Sequence, residues 1–422
     1  MEKSALKPLT KAEVEELKLQ AQKEGKKLEI LPSKMVFTIK PGGKLKSRWV
    51  VCGNYEEKKE GEETYSTGAD ATTLRLLVWT STRMGWCGCV LDVRTAFLNA
   101  EMEQSPEEDL LLIQAPHVLR EAKFLKGEAL FLPLRAVYGF RRSPRLWGLH
   151  RDRTMRDMKI SVVLDGRKEM LVLKQMESEQ NLWKVVVLRK GFQEDLEDEF
   201  VSNGRVVGLV MTYVDDILIT GRREVMESVT QQLQQTWSTS VPEEIGEKPV
   251  RFLGIEITRC LAEGEERMHW SLNQQASIRD LLGRYEDGEK VRKIPITRDQ
   301  AAMSQDVTTP TPEGVKSCQK VIGELLWLVT RTRPDLMFGV SRMGASVLKS
   351  THAIQETAKQ MRLYLKATLE EGLRFEERPE DPINLYVYSD SSFARSQMSR
   401  MGLSLFWPME VQCSGEVAAN LR

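Results

Sequence analysis

Cysteine is scarce in this 422-residue chain: six residues, at positions 52, 87, 89, 260, 318 and 413, with no C-x-x-C pair among them. Only four histidines accompany them. That poverty argues against a zinc site of ordinary ligand spacing. A disulfide framework is not expected either, and so few thiols fit a reducing compartment. Long apolar runs are missing too. None approaches the roughly 18 residues of a membrane span, so no membrane partner is expected. The charged start, Met1 to Lys27, lacks the apolar stretch of a secretory signal. Internal repeats and low-complexity tracts are absent. So is charge of one sign: 61 basic residues balance 61 acidic ones. A nucleic-acid binder ordinarily carries a basic excess, so the bulk balance speaks mildly against one.

What is present is ordinary globular material, with 41% hydrophobic and 29% charged residues. The length predicts about two to four domains. The charges are unevenly placed. Between Pro133 and Ile160 stand Arg135, Arg141, Arg142, Arg145, Arg151, Arg153, Arg156 and Lys159, opposed only by Asp152 and Asp157, whereas Met176 to Phe200 is acid-rich. Such segregation presents a local basic surface to phosphates despite zero net charge.

Hydropathy and turn chemistry outline the elements. Residues 1–29 read as a polar helix, with Thr10 as N-cap and Glu13 in the capping-box position. Met35–Ile39 and Arg48–Cys52 flank Pro41-Gly42-Gly43 and predict a hairpin. Residues 71–85 read as a helix. A buried strand, Gly88–Leu91, leads into Asp92. The stretch 130–160 looks helical after Pro144, and 184–188 is a short strand. The clearest hairpin is Val206–Tyr213 followed by Ile217–Thr220, then a helix over 222–237 and a strand pair over 252–259. Helices are predicted over 274–286, 316–331, 334–348 and 352–370, and a strand over 383–388.

Two places carry chemistry. In Tyr213-Val214-Asp215-Asp216 an aspartate pair sits where the hairpin must turn. Adjacent carboxylates repel unless solvated or bound to metal, and a solvated turn is the plainer account, since Asp favours turns. Asp92 ends an apolar strand, where a carboxylate can hold a cation at a sheet edge; a helix N-cap is its plainer account. Mg²⁺ favours a few carboxylates together with phosphate and water, and phosphoryl transfer uses pairs of such ions about 4 Å apart. Asp92 and Asp215 on neighbouring strands would supply that site.

Four segments in order then resemble the reverse transcriptase of copia-type (Ty1/copia) LTR retrotransposon polyproteins. Leu91-Asp92-Val93-Arg94-Thr95-Ala96-Phe97-Leu98-Asn99 is similar to that family's motif A, Val137–Trp147 to motif B, Tyr213–Asp216 to motif C, and Phe252-Leu253-Gly254-Ile255-Glu256-Ile257 to its F-L-G-I-x-I segment. The resemblance covers roughly residues 30–400. It implies an α+β right-hand polymerase: fingers, a palm with a ferredoxin-like split βαβ sheet, and a thumb. It assigns 1–29 to a helical leader, 30–260 to fingers and palm, 261–375 to thumb and connection helices, and 380–422 to a truncated start of an RNase H-like domain.

The resemblance also implies roles. Asp92, Asp215 and Asp216 become catalytic metal ligands for two Mg²⁺ or Mn²⁺ ions, Asp216 the weaker of the three. Lys46 and Arg48 match a basic K-x-R that would neutralise the triphosphate of a dNTP, with Lys44 an equal candidate; a solvated hairpin face is the alternative. Phe97 falls at the family's gate against the ribose 2′-hydroxyl, or packs in the core. Gly139 lets the chain approach nucleotide or template, or is a turn glycine. Tyr213 joins the substrate-binding set. Arg141, Arg142 and Arg145, among Tyr138, Phe140 and Trp147, would grip an RNA or DNA template-primer, unless they are helical surface charge with core aromatics. Thr332-Arg333-Pro334-Asp335 resembles a structural connection. Asp390 matches the first RNase H ligand, but Glu410 and Glu416 lie in no matching motif, so that domain is expected to be inactive. Nothing resembles the protease or integrase of such a polyprotein. Ala100 stands where the family commonly has Gly, and Cys52-Gly53-Asn54 departs from its usual sequence. The function implied is RNA-directed DNA polymerase, in the cytoplasm or a virus-like particle; a non-catalytic nucleic-acid-binding remnant is the other reading.

Overall fold

The computed structural model describes residues 5–39, 43, 45–57, 68–102, 110–125, 129–188, 204–261, 268–307 and 309–376, and the backbone of strands 386–392 and 400–406. It is a mixed α/β chain with several sheets. Two compact units arise from interleaved segments: residues 1–69, 91–217 and 228–241 form one, and 70–90, 218–227 and 242–422 the other.

Local rules explain most elements. Thr10 caps the helix Lys11–Lys23: its Oγ1 accepts from the Glu13 amide, and the Glu13 carboxylate accepts from the Thr10 amide at 2.8 Å. The expected 1–29 helix is shorter than predicted. Gly25, at φ +67°, follows the helix end in the conformation glycine adopts there. Leu28–Leu31 then pairs in parallel with Leu110–Gln114, and Leu6–Pro8 pairs with Leu130–Pro133. Around this four-stranded sheet lies an apolar cluster that includes Leu31, Val51, Ile113, Phe131, Val137 and Phe140. The hairpin Ser33–Ile39 and Leu45–Val51 forms as the turn chemistry predicts, with Val36 opposite Arg48 and Thr38 opposite Lys46.

A seven-stranded sheet carries the aspartates. Its order is Glu243–Glu244, Cys87–Asp92, Asp216–Gly221, Val206–Tyr213, Leu182–Leu188, Arg167–Gln175, Lys159–Leu164. The last two strands were not predicted: the helical reading ran to residue 160, and 161–183 carried no expected element. The helix ends at Arg156, and an antiparallel hairpin follows, with Leu164 opposite Arg167. Its two-residue turn is Asp165-Gly166, both at positive φ (50° and 76°), the chemistry that a tight hairpin prefers.

In the second unit, Val250–Phe252, Ile255–Leu261, Met268–Asn273 and Leu373–Glu376 form an antiparallel sheet in that order, with helix Ala71–Arg83 packed on its last two strands. Helices Gln275–Gly283, Pro312–Val329, Met337–Ser346 and Thr351–Ala367 share one apolar core, in which Leu325, Leu336, Met343, Ile354 and Met361 are fully buried. Burying each such side chain stabilises by about 1.5–3 kcal/mol. Pro334 opens a short 3₁₀ turn, as its position after Arg333 predicts. The expected strand over 383–388 lies at Tyr386–Ser392 among the described residues, paired with Arg400–Phe406; Asp390 is on it. Glu410 and Glu416 lie outside the described residues. No helix among the described residues is long and apolar enough to cross a membrane.

Candidate metal centre

Asp92 is the last residue of a strand whose Cys89, Val90 and Leu91 are buried. It does not cap a helix: the following 3₁₀ turn, Ala96–Asn99, is capped at Thr95. Asp215 and Asp216 follow from the apolar hairpin Val206–Tyr213 and Asp216–Gly221. The turn residues are Val214 and Asp215. Val214 has φ +55°. A β-branched residue in the left-handed region is strained, and such strain concentrates at functional sites. The two segments are joined by the Val93 amide, which donates to the Asp215 carbonyl at 2.8 Å.

The result is a cluster of three half-buried carboxylates. One oxygen from each of Asp92, Asp215 and Asp216 lies within 4.8 Å of the others. Burial raises the Asp215 carboxyl above the usual range, and Asp92 raises it further. Burial, then the charges of Asp215 and Asp92, push Asp216 up to about 6. A divalent cation would relieve that repulsion, and the all-oxygen donor set suits a hard ion such as Mg²⁺. Three carboxylates at this separation can therefore hold a metal ion.

The other expected residues are only partly gathered here. Lys46 and Arg48 share one face of their hairpin, since side chains alternate. The Lys46 charge lowers the Asp215 carboxyl, against the stronger effect of burial. The Arg48 guanidinium lies 5.9 Å from the centre of the Tyr138 ring. Phe97 is half-buried and packs edge-on against Tyr138, with centroids 5.0 Å apart. Gly139, at φ +100°, is needed by its own backbone: a Cβ would overlap the carbonyl oxygen of Val51, whose amide donates to the Tyr138 carbonyl at 2.8 Å. Tyr213 is exposed at the end of its strand. Lys44 lies outside the described residues.

Arg141, Arg142 and Arg145 are engaged within the protein. Arg141 donates to the Asn54 carbonyl at 3.4 Å, and Arg142 lies 3.9 Å from the buried Glu56 carboxylate. Arg145 is half-buried and has a partner of its own. Phe140 and Trp147 are core residues, 4% and 1% exposed.

Three neighbours of the site were not predicted as such. Burial, then the Asp215 charge, pushes the Tyr138 phenol up. Trp147 and Ser240 hydrogen-bond to the segments that carry the aspartates. Tyr138 and Trp147 were visible as interleaved aromatics. Ser240 had no sequence signal. In the second unit, a groove of about 500 Å³ runs along helix Pro312–Val329, lined by Gln319, Lys320, Gly323 and Trp327 among others. Gly323 is exposed in mid-helix, and a Cβ there would meet nothing within 4 Å.

No family model matches the chain. It is 24% identical over 358 residues to the retrovirus-related Pol polyprotein from transposon RE2 of Arabidopsis thaliana, covering 83% of this chain and 21% of that protein. It is 25% identical over 377 residues to the retrovirus-related Pol polyprotein from transposon TNT 1-94 of Nicotiana tabacum, covering 86% and 25%. It is 23% identical over 309 residues to the putative transposon Ty5-1 protein of Saccharomyces cerevisiae, covering 72% and 83%. The chain's homologues are thus copia-type retrotransposon Pol polyproteins. The chain spans about a fifth of the length of the RE2 polyprotein.

Proposed function

We propose that this chain is the RNA-directed DNA polymerase segment of a copia-type Pol polyprotein, transferring a nucleotide from a dNTP to a primer 3′-hydroxyl. The observation that carries the reading is the carboxylate cluster: three aspartates from two separate segments meet at the ends of adjacent strands, in a chain whose homologues are such polyproteins. Asp92, Asp215 and Asp216 would hold two divalent cations, Mg²⁺ or Mn²⁺. When bound, the ions orient the triphosphate and neutralise charge on the attacking and leaving oxygens.

The chain's own residues position the reactants. The primer 3′-oxygen forms a bond to the α-phosphorus, and pyrophosphate leaves. Lys46 and Arg48 face the phosphates, Arg48 with fork geometry suited to two oxygens. Phe97, edge-on to Tyr138, stands against the sugar. Tyr213 lies beside the primer end, and Arg145 near the template backbone. In this reading the hairpin Ser33–Val51 serves as fingers, the seven-stranded sheet as palm, and the helices of the second unit as thumb. Gly323 supports a duplex partner for that last element. A mid-helix glycine costs about 1 kcal/mol relative to alanine, and no packing among the described residues requires it. Close approach of a template-primer backbone to Gln319, Gly323 and Trp327 gives it a purpose.

Primer extension on poly(rA)/oligo(dT) with Mg²⁺ or Mn²⁺ tests the proposal against Asp215→Asn. Several kcal/mol of charge stabilisation depend on the metal, so extension should fall about a thousandfold. Hybrid binding without extension by the native chain would instead establish a non-catalytic remnant.

A further inference from the structure

The aspartates lie at the ends of adjacent strands of the seven-stranded sheet, where the Val93 amide also donates to the Asp215 carbonyl, and further groups hold the strand end and the turn from behind. The Asp92 amide donates to Ser240 Oγ at 2.9 Å, and the Ser240 amide donates to the Asp92 carbonyl at 2.8 Å. The Arg94 amide donates to the Ser238 carbonyl at 2.8 Å. Residues 238–240 therefore fix the strand end that carries Asp92. On the other side, the Trp147 indole N–H donates to the Val214 carbonyl at 2.6 Å. That carbonyl belongs to the strained turn residue immediately before Asp215. Trp147 is 1% exposed and packs edge-on against Trp237, 4% exposed, with ring centroids 5.4 Å apart. Trp237 is next in sequence to Ser238.

We infer that Trp147, Trp237 and Ser240 form a positioning bracket, which fixes the distance between Asp92 and the Asp215–Asp216 pair. One end of the bracket holds the turn by its carbonyl, the other holds the strand by both backbone groups, and the Trp147–Trp237 contact joins the ends. None of the three touches the reacting atoms; they act through the carboxylates. The strain at Val214 gives the bracket its purpose. A valine in the left-handed region persists only where its surroundings over-determine it, and a buried indole N–H aimed at its carbonyl is such a determinant. Metal sites depend similarly on groups behind the ligands, whose loss lowers affinity about 10–100-fold. The inference deepens the polymerase reading, since it concerns the same carboxylates.

The test uses the full chain and two readouts. The first is metal-free hydrogen exchange of peptides covering residues 90–95 and 211–217, in the native chain, Trp147→Phe, Ser240→Ala and Ser240→Thr. Trp147→Phe keeps an aromatic ring on the Trp237 side but removes the N–H together with part of the buried ring, so the control peptides report any general loss of packing. The substitution should speed exchange at the Val93 amide about tenfold, the loss of one buried hydrogen bond. Peptides from strands Arg167–Gln175 and Leu182–Leu188 should keep native rates. Ser240→Ala should do the same to the Asp92 amide, and Ser240→Thr, which retains Oγ, should restore protection. Native exchange at residues 92–93 in both Trp147→Phe and Ser240→Ala overturns the bracket. Faster exchange spread evenly over the unit also overturns it, since that marks general packing. The second readout is Mn²⁺ titration, in which Trp147→Phe should weaken binding about tenfold. A native chain that takes up no Mn²⁺ overturns the polymerase reading, while exchange still decides the bracket.

Discussion

Two sets of half-buried acids, one in each unit, are treated in opposite ways. In the second unit Asp335 and Asp287 each meet an arginine. Arg333, 1% exposed, donates from two nitrogens to Asp335 at 3.0 and 2.7 Å, and donates to the Thr368 carbonyl and hydroxyl as well. Arg362 grips Asp287 with two nitrogens in the same manner. In the first unit Asp92, Asp215 and Asp216 meet one another. Geometry that satisfies every charge serves the fold. Geometry that crowds like charges works against the fold and is kept for what it can bind. The sharpest way to break the comparison is to remove Arg333. Arg333→Ala strands the Asp335 carboxylate and the Thr368 groups, and loss of one partner of a buried ion pair costs about 3–5 kcal/mol. Urea unfolding should show that loss. A change under about 1 kcal/mol would mean that Arg333 is no more than a surface charge.

The carboxylate cluster should respond with the opposite sign. Asp216 titrates near 6 in the folded chain and near the ordinary aspartate value when unfolded. The folded state therefore binds its proton more tightly. The penalty for ionising Asp216 is absent below about pH 4, grows as pH rises toward 6, and is complete above it. Without divalent metal, Asp216→Asn should raise the melting temperature at pH 7.5 by a few degrees, an effect moderated by partial solvent exposure. The gain should vanish near pH 4. With saturating Mg²⁺ or Mn²⁺ the order should reverse, because a ligand that binds only the native state stabilises it. Equal melting temperatures for the two chains at pH 7.5, with and without metal, would remove the electrostatic basis of the metal assignment.

Much of this was legible in the residues. The apolar strand into Asp92, the hairpin around Asp215 and the capping box at Thr10 each follow from a short-range rule, and the structure obeys all three. What the sequence hid depends on partners far along the chain. Leu28 and Glu29 read as the end of a helix, and Ile30 and Leu31 as no element, because the strand they pair with begins at Leu110. Lys159 and Ile160 read as the end of a helix and 161–164 as no element, although Asp165-Gly166 was a turn signal in plain view. Arg141 and Arg142 looked like a phosphate grip, and their segment folds back onto Asn54 and Glu56. The aspartates themselves were legible. The atoms behind them were not, because Ser240 meets Asp92 only through the folded sheet.

Two tight hairpin turns of the seven-stranded sheet carry the comparison down to single residues. Asp165-Gly166 uses residues that tolerate positive φ, and a Cβ on Gly166 would meet nothing within 4 Å. Val214-Asp215 places a β-branched residue at φ +55°, with a carboxylate of the cluster next to it. Gly166→Ala should therefore cost about 1–2 kcal/mol from backbone conformation alone, with metal uptake unchanged. Val214→Gly removes strain of about 1–3 kcal/mol, but glycine also gains freedom in the unfolded chain. The net effect should be a small stabilisation, of about 1 kcal/mol. Stability and function should then part company. A glycine turn is free to leave the conformation that sets Asp215 beside Asp92, so Val214→Gly should bind Mn²⁺ more weakly than the native chain while melting higher. A Val214→Gly chain that is both more stable and equal in Mn²⁺ affinity would mean that the strain at the turn sets nothing, and that the carboxylates are placed by the sheet alone.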